Sequence, residues 1–383
     1  MPEAPTLHWT EAGQPQTARW RSEAGVPAPR KVAVCDDSLT AERALRLASE
    51  GTAMLWRGDF HNARQLLAAL GRRVERGPRR GRAAATVDDP AQAFHRHRQA
   101  QAHRARVLGM LLVPLSGDHA IALRRAPDVR AACSQVWGEP DGAAAVVALR
   151  ELLGLVGAFE WRAKGVEVPA LQARIHPHYG VFSPVRGEYV DLVAQAPWAQ
   201  PPALAFDIGT GTGVLAAVLA RRGVRHVVAT DQDPRALACA RANVAALGLA
   251  QRVEVVQADL FPPGRAPLVV CNPPWLPARP SAPLEHAVYD PDSRMLRGFL
   301  AGLAQHLCAQ GEGWLLLSDL AEHLHLRTRE QLLEWVAAGG LQVVERRDVR
   351  PRHPKAADRS DPLHAARAAE RTSLWRLAAA VVP

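Results

Sequence analysis

The stretch Phe206-Asp207-Ile208-Gly209-Thr210-Gly211-Thr212-Gly213 constrains this chain more than any other. An apolar strand pattern runs into three alternate glycines, and an apolar helical run, Val214 to Ala220, follows at once. Such a turn lets backbone approach a ligand closely and leaves the free N–H groups of a helix N-terminus facing it. After residue 203 the pattern stays regular. Strands are predicted over 203–207, 226–230, 253–257, 268–271 and 314–318, with helices over 214–222, 234–247, 294–308 and 328–338 between or after them. Two last strands are predicted over 341–348 and 372–378. Alternation over this length means a mostly parallel sheet with helices on both faces, which binds ligands at the carboxyl ends of its strands.

The candidate ligand residues fall at those ends. Asp207 and the loop Gly209, Thr210, Gly211 and Gly213 follow the first strand, Asp231 the second, Asp259 and Leu260 the third, and Asn272 the fourth. Gly211-x-Gly213-x-x-Ala216 with Asp231 downstream also satisfies a relaxed dinucleotide fingerprint, so an NAD-binding Rossmann oxidoreductase is one reading. Against it, Asp207 would set a carboxylate beside a pyrophosphate. The turn Asn272-Pro273-Pro274-Trp275 has no part in hydride transfer. S-adenosyl-L-methionine carries no phosphate and suits the same residues. Asp207 would face its cationic part and the glycine backbone its amino-acid moiety. Asp231 would accept from the ribose diol, and Asp259 beside Leu260 from the adenine amine.

On these motifs, residues 175–380 resemble a class I S-adenosylmethionine-dependent methyltransferase of the N-P-P-[YFW] branch. That branch, the small-domain methyltransferases, includes the release-factor and ribosomal-protein glutamine enzymes and the rRNA guanine-N2 enzymes. Phe182-Ser183-Pro184 and Tyr289-Asp290-Pro291 also resemble segments of the glutamine enzymes. The resemblance implies a seven-stranded Rossmann-like sheet and methyl transfer to a planar amide or exocyclic amine nitrogen. In that chemistry the Asn272 side-chain oxygen and the Pro273 carbonyl accept the nitrogen's hydrogens. Pro274 helps fix the turn, and Trp275 stacks on the substrate. The family more often has Tyr or Phe at the last position.

The N-terminal part carries no chemical motif. Residues 1–30 lack periodicity and read as a loose arm, and 31–165 as a mostly helical mixed accessory domain. That domain is expected to hold a strand at 31–35, helices over 59–70, 90–108 and 143–159, and strands over 107–115 and 119–123. The catalytic domain is expected over 175–383. The chain's formal charge is +9. Only Lys31, Lys164 and Lys355 are lysines, so biased composition accounts for part of that excess. Two basic segments, 71–106 and 350–371, remain candidates for RNA contact. The expected partner is RNA, the ribosome or a translation protein; a cofactor-binding scaffold without turnover is the non-enzymatic alternative.

Five scattered cysteines form no C-x-x-C pair, His95 and His97 lie two apart and would point in different directions on a helix, and His176/His178 have no Cys or acidic partners nearby, so no metal is expected. No secretory leader pattern opens the chain and no apolar run is long enough for a bilayer. The expectation is a cytoplasmic protein without a membrane partner.

Overall fold

The computed structural model describes residues 5–76, 89–280, 285, 287–352 and 358–380. The chain divides into two compact units, Met1–Asp88 with His95–Glu160, and Asp89–Phe94 with Trp161–Pro383.

The first unit contains β1 (Thr6–Glu11), β2 (Gln14–Arg21), β3 (Lys31–Cys35), α1 (Ala41–Ser49), β4 (Thr52–Trp56), α2 (Phe60–Arg76) and α3 (Pro90–Leu108). These are followed by β5 (Leu111–Leu115), α4 (Arg130–Trp137), β6 (Ala145–Ala148) and α5 (Leu149–Lys164); the first residues of α3, Pro90–Phe94, and the last of α5, Trp161–Lys164, count with the second unit. Three expectations are corrected here. The N-terminal arm is a hairpin: Glu11 pairs with Gln14 across Ala12 and Gly13, both at positive φ. Leu7 and Trp20 bury one face of it, and the Trp20 indole donates to the Val26 carbonyl at 2.7 Å. The helix expected over 143–159 begins only at Leu149, because Ala145–Ala148 is a fully buried strand between β5 and β2. A short apolar run reads alike as strand or helix. The expected strand 119–123 reduces to a single bridge between Leu115 and Ile121. The unit is helix-rich, but it is organised on a six-stranded sheet in the order β1-β2-β6-β5-β4-β3.

In the basic segment 71–106, α2 runs through Arg76, α3 begins at Pro90, and Arg79, Arg80 and Arg82 lie outside the described residues. Asp59 caps α2, accepting the His61 N–H at 2.9 Å.

The second unit starts with a small pair, β7 (Val166–Val168) and β8 (Ala173–Ile175), and α6 (Glu188–Gln195). Then come β9 (Leu204–Ile208), α7 (Val214–Arg221), β10 (His226–Asp231), α8 (Pro234–Ala246), β11 (Val253–Gln257), β12 (Ala266–Cys271), α9 (Arg294–His306) and β13 (Leu307–Ser318). The chain closes with α10 (Leu320–His323), α11 (Arg329–Ala338), β14 (Leu341–Val349), α12 (His364–Ala369) and β15 (Thr372–Ala379). Seven strands form one sheet, ordered β11-β10-β9-β12-β13-β15-β14, parallel except for β15, which is antiparallel to both neighbours. Leu215, Val218 and Leu219 of α7 pack on one face with Val190 and Val193 of α6, and Leu296, Phe299 and Leu303 of α9 pack on the other. This two-sided burial explains why the central strands are continuously apolar.

Connectivity sets where the strand order reverses. From β9 the chain moves outward to β10 and β11, then returns to lay β12 on the other side of β9. The β9/β12 gap is therefore the point where strand order reverses, and the crevice opens beyond the strand tips there.

Candidate active site

The register places the motif residues in one row. Asp207 lies opposite Ala229 of β10 and Val270 of β12; Ile208 lies opposite Thr230 and Cys271. One residue further, Asp231, Gly209 and Asn272 stand side by side at neighbouring strand tips, which lie about 4.8 Å apart in a sheet.

The loop after β9 is held from within. Gly209, Gly211 and Gly213 all have positive φ. A Cβ at Gly213 would stand 3.2 Å from the Ala240 Cα, so the turn packs directly on α8. At Gly211 the same test meets nothing within 4 Å, so bare backbone faces open space. Thr210 N–H donates to the Thr230 carbonyl at 2.8 Å, tying the loop to β10.

Asp207 braces this loop. Its Oδ2 accepts the Thr210 hydroxyl at 2.6 Å and the Ala216 N–H at 3.0 Å, and the residue is 1% exposed. Burial, with the Asp231 charge adding to it, pushes its carboxyl up to about 6. The carboxylate takes an orphan donor in the first turn of α7 and shapes the glycine loop. That donor is also one a dinucleotide pyrophosphate would need at this helix start, which counts against the oxidoreductase reading.

Asp231 accepts the Gly211 N–H on Oδ2 and the Asp233 N–H on Oδ1, each at 3.0 Å, and burial raises its pKa. Asp259 is exposed and pairs with Arg294 at 3.1 Å. Leu260 has φ of 74°, and its carbonyl accepts the Thr230 hydroxyl at 2.6 Å, a contact that holds the residue in a backbone region costly for a branched side chain.

At the tip of β12 the indole Nε1–H of Trp275 donates to Asn272 Oδ1 at 3.0 Å. Pro273 is buried, and Asn272, Pro274 and Trp275 are half-buried. The Asp290 carboxylate accepts from Met295 and Leu296, capping α9, while its N–H donates to the Leu276 carbonyl at 2.8 Å. Tyr289-Asp290-Pro291 thus fastens the chain that leaves the 272–275 turn.

Sequence reading missed two residues here. The Arg186 guanidinium lies 4.8 Å from the Trp275 ring centroid. It pairs with Glu188 at 2.8 Å and with Glu370 at 2.9 Å. Arg186 sits just past the noted Ser183-Pro184, but nothing local marks Glu370, 184 positions away, as its partner. The basic segment 350–371 contains this acid next to its last residue, Arg371; its His353 and Lys355 lie outside the described residues. Among the described residues no three His, Cys, Asp or Glu side chains group as metal ligands, and no helix is long and apolar enough to cross a membrane.

Residues 173–322 match the family model described as methyltransferase small domain. This stretch is similar to the methyltransferase small domain. It contains the entire row from Gly209 to Trp275. Over 110 residues the chain is 45% identical to a release factor glutamine methyltransferase of Cereibacter sphaeroides, which covers 28% of this chain and 38% of that protein. Over 77 residues it is 46% identical to a ribosomal protein L11 methyltransferase of Pelotomaculum thermopropionicum, covering 20% and 25% of the two. A ribosomal protein L11 methyltransferase of Rhodopseudomonas palustris is 33% identical over 167 residues, 41% of this chain and 55% of that protein. The chain thus spans well under two thirds of the length of these relatives.

Proposed function

We propose that the chain is an S-adenosylmethionine-dependent N-methyltransferase acting on a planar amide nitrogen of a macromolecule, with a protein glutamine side chain as the acceptor. The observation that carries this reading is the row Asp231–Gly209–Asn272 at the reversal of strand order, where a cofactor cradle and an amide-type acceptor stand on adjacent strands. The residues suit the cofactor. Beside Gly211 there is open space and a bare backbone, and Asp231 is a partly buried acceptor at the next tip. The Gly209, Thr210, Gly211 and Gly213 backbone, Asp231, Asp259, Leu260 and the edge of Asn272 would hold it, with Asp207 setting the loop. When bound, it supplies a methyl group on a sulfonium, a leaving group that needs no proton.

The protein's task is then to aim a nucleophile. An amide nitrogen is a poor one because its lone pair is delocalised. Asn272 Oδ1 and the Pro273 carbonyl, accepting the two N–H groups, orient that lone pair and stabilise the positive charge that grows on nitrogen. The prolines fix φ and remove competing donors. The Trp275 ring supplies a flat wall for the amide.

Glutamine is favoured over a nucleobase amine because the matched relatives carry release factor glutamine and ribosomal protein L11 in their names. A translation protein in the cytoplasm is the corresponding partner and setting. Calorimetric titration with S-adenosylhomocysteine tests the cofactor half: saturable one-to-one binding is expected, undiminished in Asn272→Ala by more than a few-fold. Absence of binding by the wild-type protein overturns the reading.

A further inference from the structure

Asn272 Oδ1 is the acceptor that methyl transfer would need, and the chain's own Trp275 occupies it. The indole does not rest there by itself. Arg186 covers its face at 4.8 Å, a distance at which a guanidinium is attracted to an aromatic ring. The plane of Arg186 is set by two carboxylates, Glu188 on Nε and Glu370 on Nη2, and both acids are almost fully buried. Glu370 is fixed in turn by the Ser318 hydroxyl, which donates to the same Oε1 at 2.6 Å and accepts the Leu320 N–H at 3.0 Å. Ser318 ends β13, the strand next to β12, so this polar chain lies along the same edge of the sheet as the acceptor.

We propose that Arg186, anchored by Glu370, is a positioning residue that holds Trp275 with its N–H on Asn272, and that an incoming planar amide enters by taking over that hydrogen bond. The proposal rests on the methyl-transfer reading above. Its physical content is an exchange. The indole N–H keeps Oδ1 satisfied until a substrate N–H replaces it and the half-buried indole turns its own N–H to water, so the exchange costs little net hydrogen bonding. Among the described residues Glu370 Oε2 is buried with no partner.

The test uses the indole N–H signals in a proton–nitrogen correlation spectrum of the full chain. Ten tryptophans give ten signals, and Trp275→Phe assigns the one at issue. Loss of the acceptor in Asn272→Ala is expected to move that signal upfield, as a hydrogen bond is released. Arg186→Met is expected to move it the same way, with Arg186→Lys closer to wild type because it keeps the charge against Glu370. Glu370→Gln, which keeps the shape and removes the charge, is expected to fall between. S-adenosylhomocysteine affinity stays within about twofold in all the Arg186 and Glu370 variants, a change of about 0.4 kcal/mol. Should Arg186→Met fail to fold, Arg186→Lys and Glu370→Gln carry the test. If the homologue binds and the Trp275 signal is unmoved in every folded variant at Arg186 and Glu370, the clasp is wrong and the methyl-transfer reading stands. If the wild-type protein does not bind the homologue, the reading itself has failed and the clasp has no substrate to admit.

Discussion

The Gly211 amide donates to Asp231 Oδ2 at 3.0 Å, joining the glycine turn after β9 to the tip of β10. The same carboxylate holds the Asp233 N–H through its other oxygen, so one acid sets both the loop and the entry into α8. Asp231→Ala removes both contacts and the acceptor proposed for the ribose. A hydrogen bond to a charged group contributes about 1.5–3 kcal/mol. S-adenosylhomocysteine affinity should therefore fall roughly ten- to hundredfold, read by calorimetry. An unchanged Kd would remove Asp231 from the cofactor site.

Two glycines in this loop should respond differently to a methyl group. At Gly213 a Cβ meets Ala240 backbone at 3.2 Å as well as a φ of 80°. At Gly211 the φ is 54°, but the space is open. Left-handed backbone costs a non-glycine residue about 1–2 kcal/mol. Gly213→Ala should lower the melting temperature by more than that strain alone, at about 2–4 °C for each kcal/mol in a unit of this size. Gly211→Ala should cost less stability and more cofactor affinity, because its methyl group projects into the cradle. Scanning calorimetry with and without S-adenosylhomocysteine separates the two; equal behaviour in both would contradict the assignment.

Asp207 gives the fold a defined pH dependence. Its carboxyl is at about 6 in the folded chain, raised first by burial, against about 3.9 when unfolded. A raised carboxyl stabilises the fold when protonated, so the contribution is complete below about pH 4 and is lost as pH rises through 6. The difference is about 3 kcal/mol across that window. Asp207→Asn can still accept the Ala216 N–H and carries no charge. The stability of the variant relative to wild type should therefore rise by that amount from pH 4 to pH 7, measured by denaturant titration. A pH-independent difference would show that burial does not set this carboxyl.

Much of the site was legible because each strand tip carries its own local signal. Gly209–Gly213, Asp231 and Asn272 each follow a strand directly, and parallel register then brings them together. The bracing contacts of Asp207 were not legible, since the sequence cannot show that the Ala216 N–H, nine positions on, takes up one of its oxygens. Arg186 and Glu370 were out of reach for the same reason at greater distance. In the first unit β6 was hidden because Ala145–Ala148 runs into α5 without a breaking residue. The β1–β2 hairpin was hidden because polar residues dominate both strands, leaving Leu7 and Trp20 as the main buried anchors.

Asn272, beside the Gly209–Gly213 cradle, is proposed to deliver an amide nitrogen for methylation. The most direct measurement is transfer of tritiated methyl from S-adenosylmethionine into a cell extract separated into protein and RNA, using wild-type protein and Asn272→Ala. The account predicts label in protein, recovered as methylated glutamine, and a loss of at least about a hundredfold in the variant, the scale of one removed transition-state contact. Label confined to RNA, or equal transfer by Asn272→Ala, would contradict it.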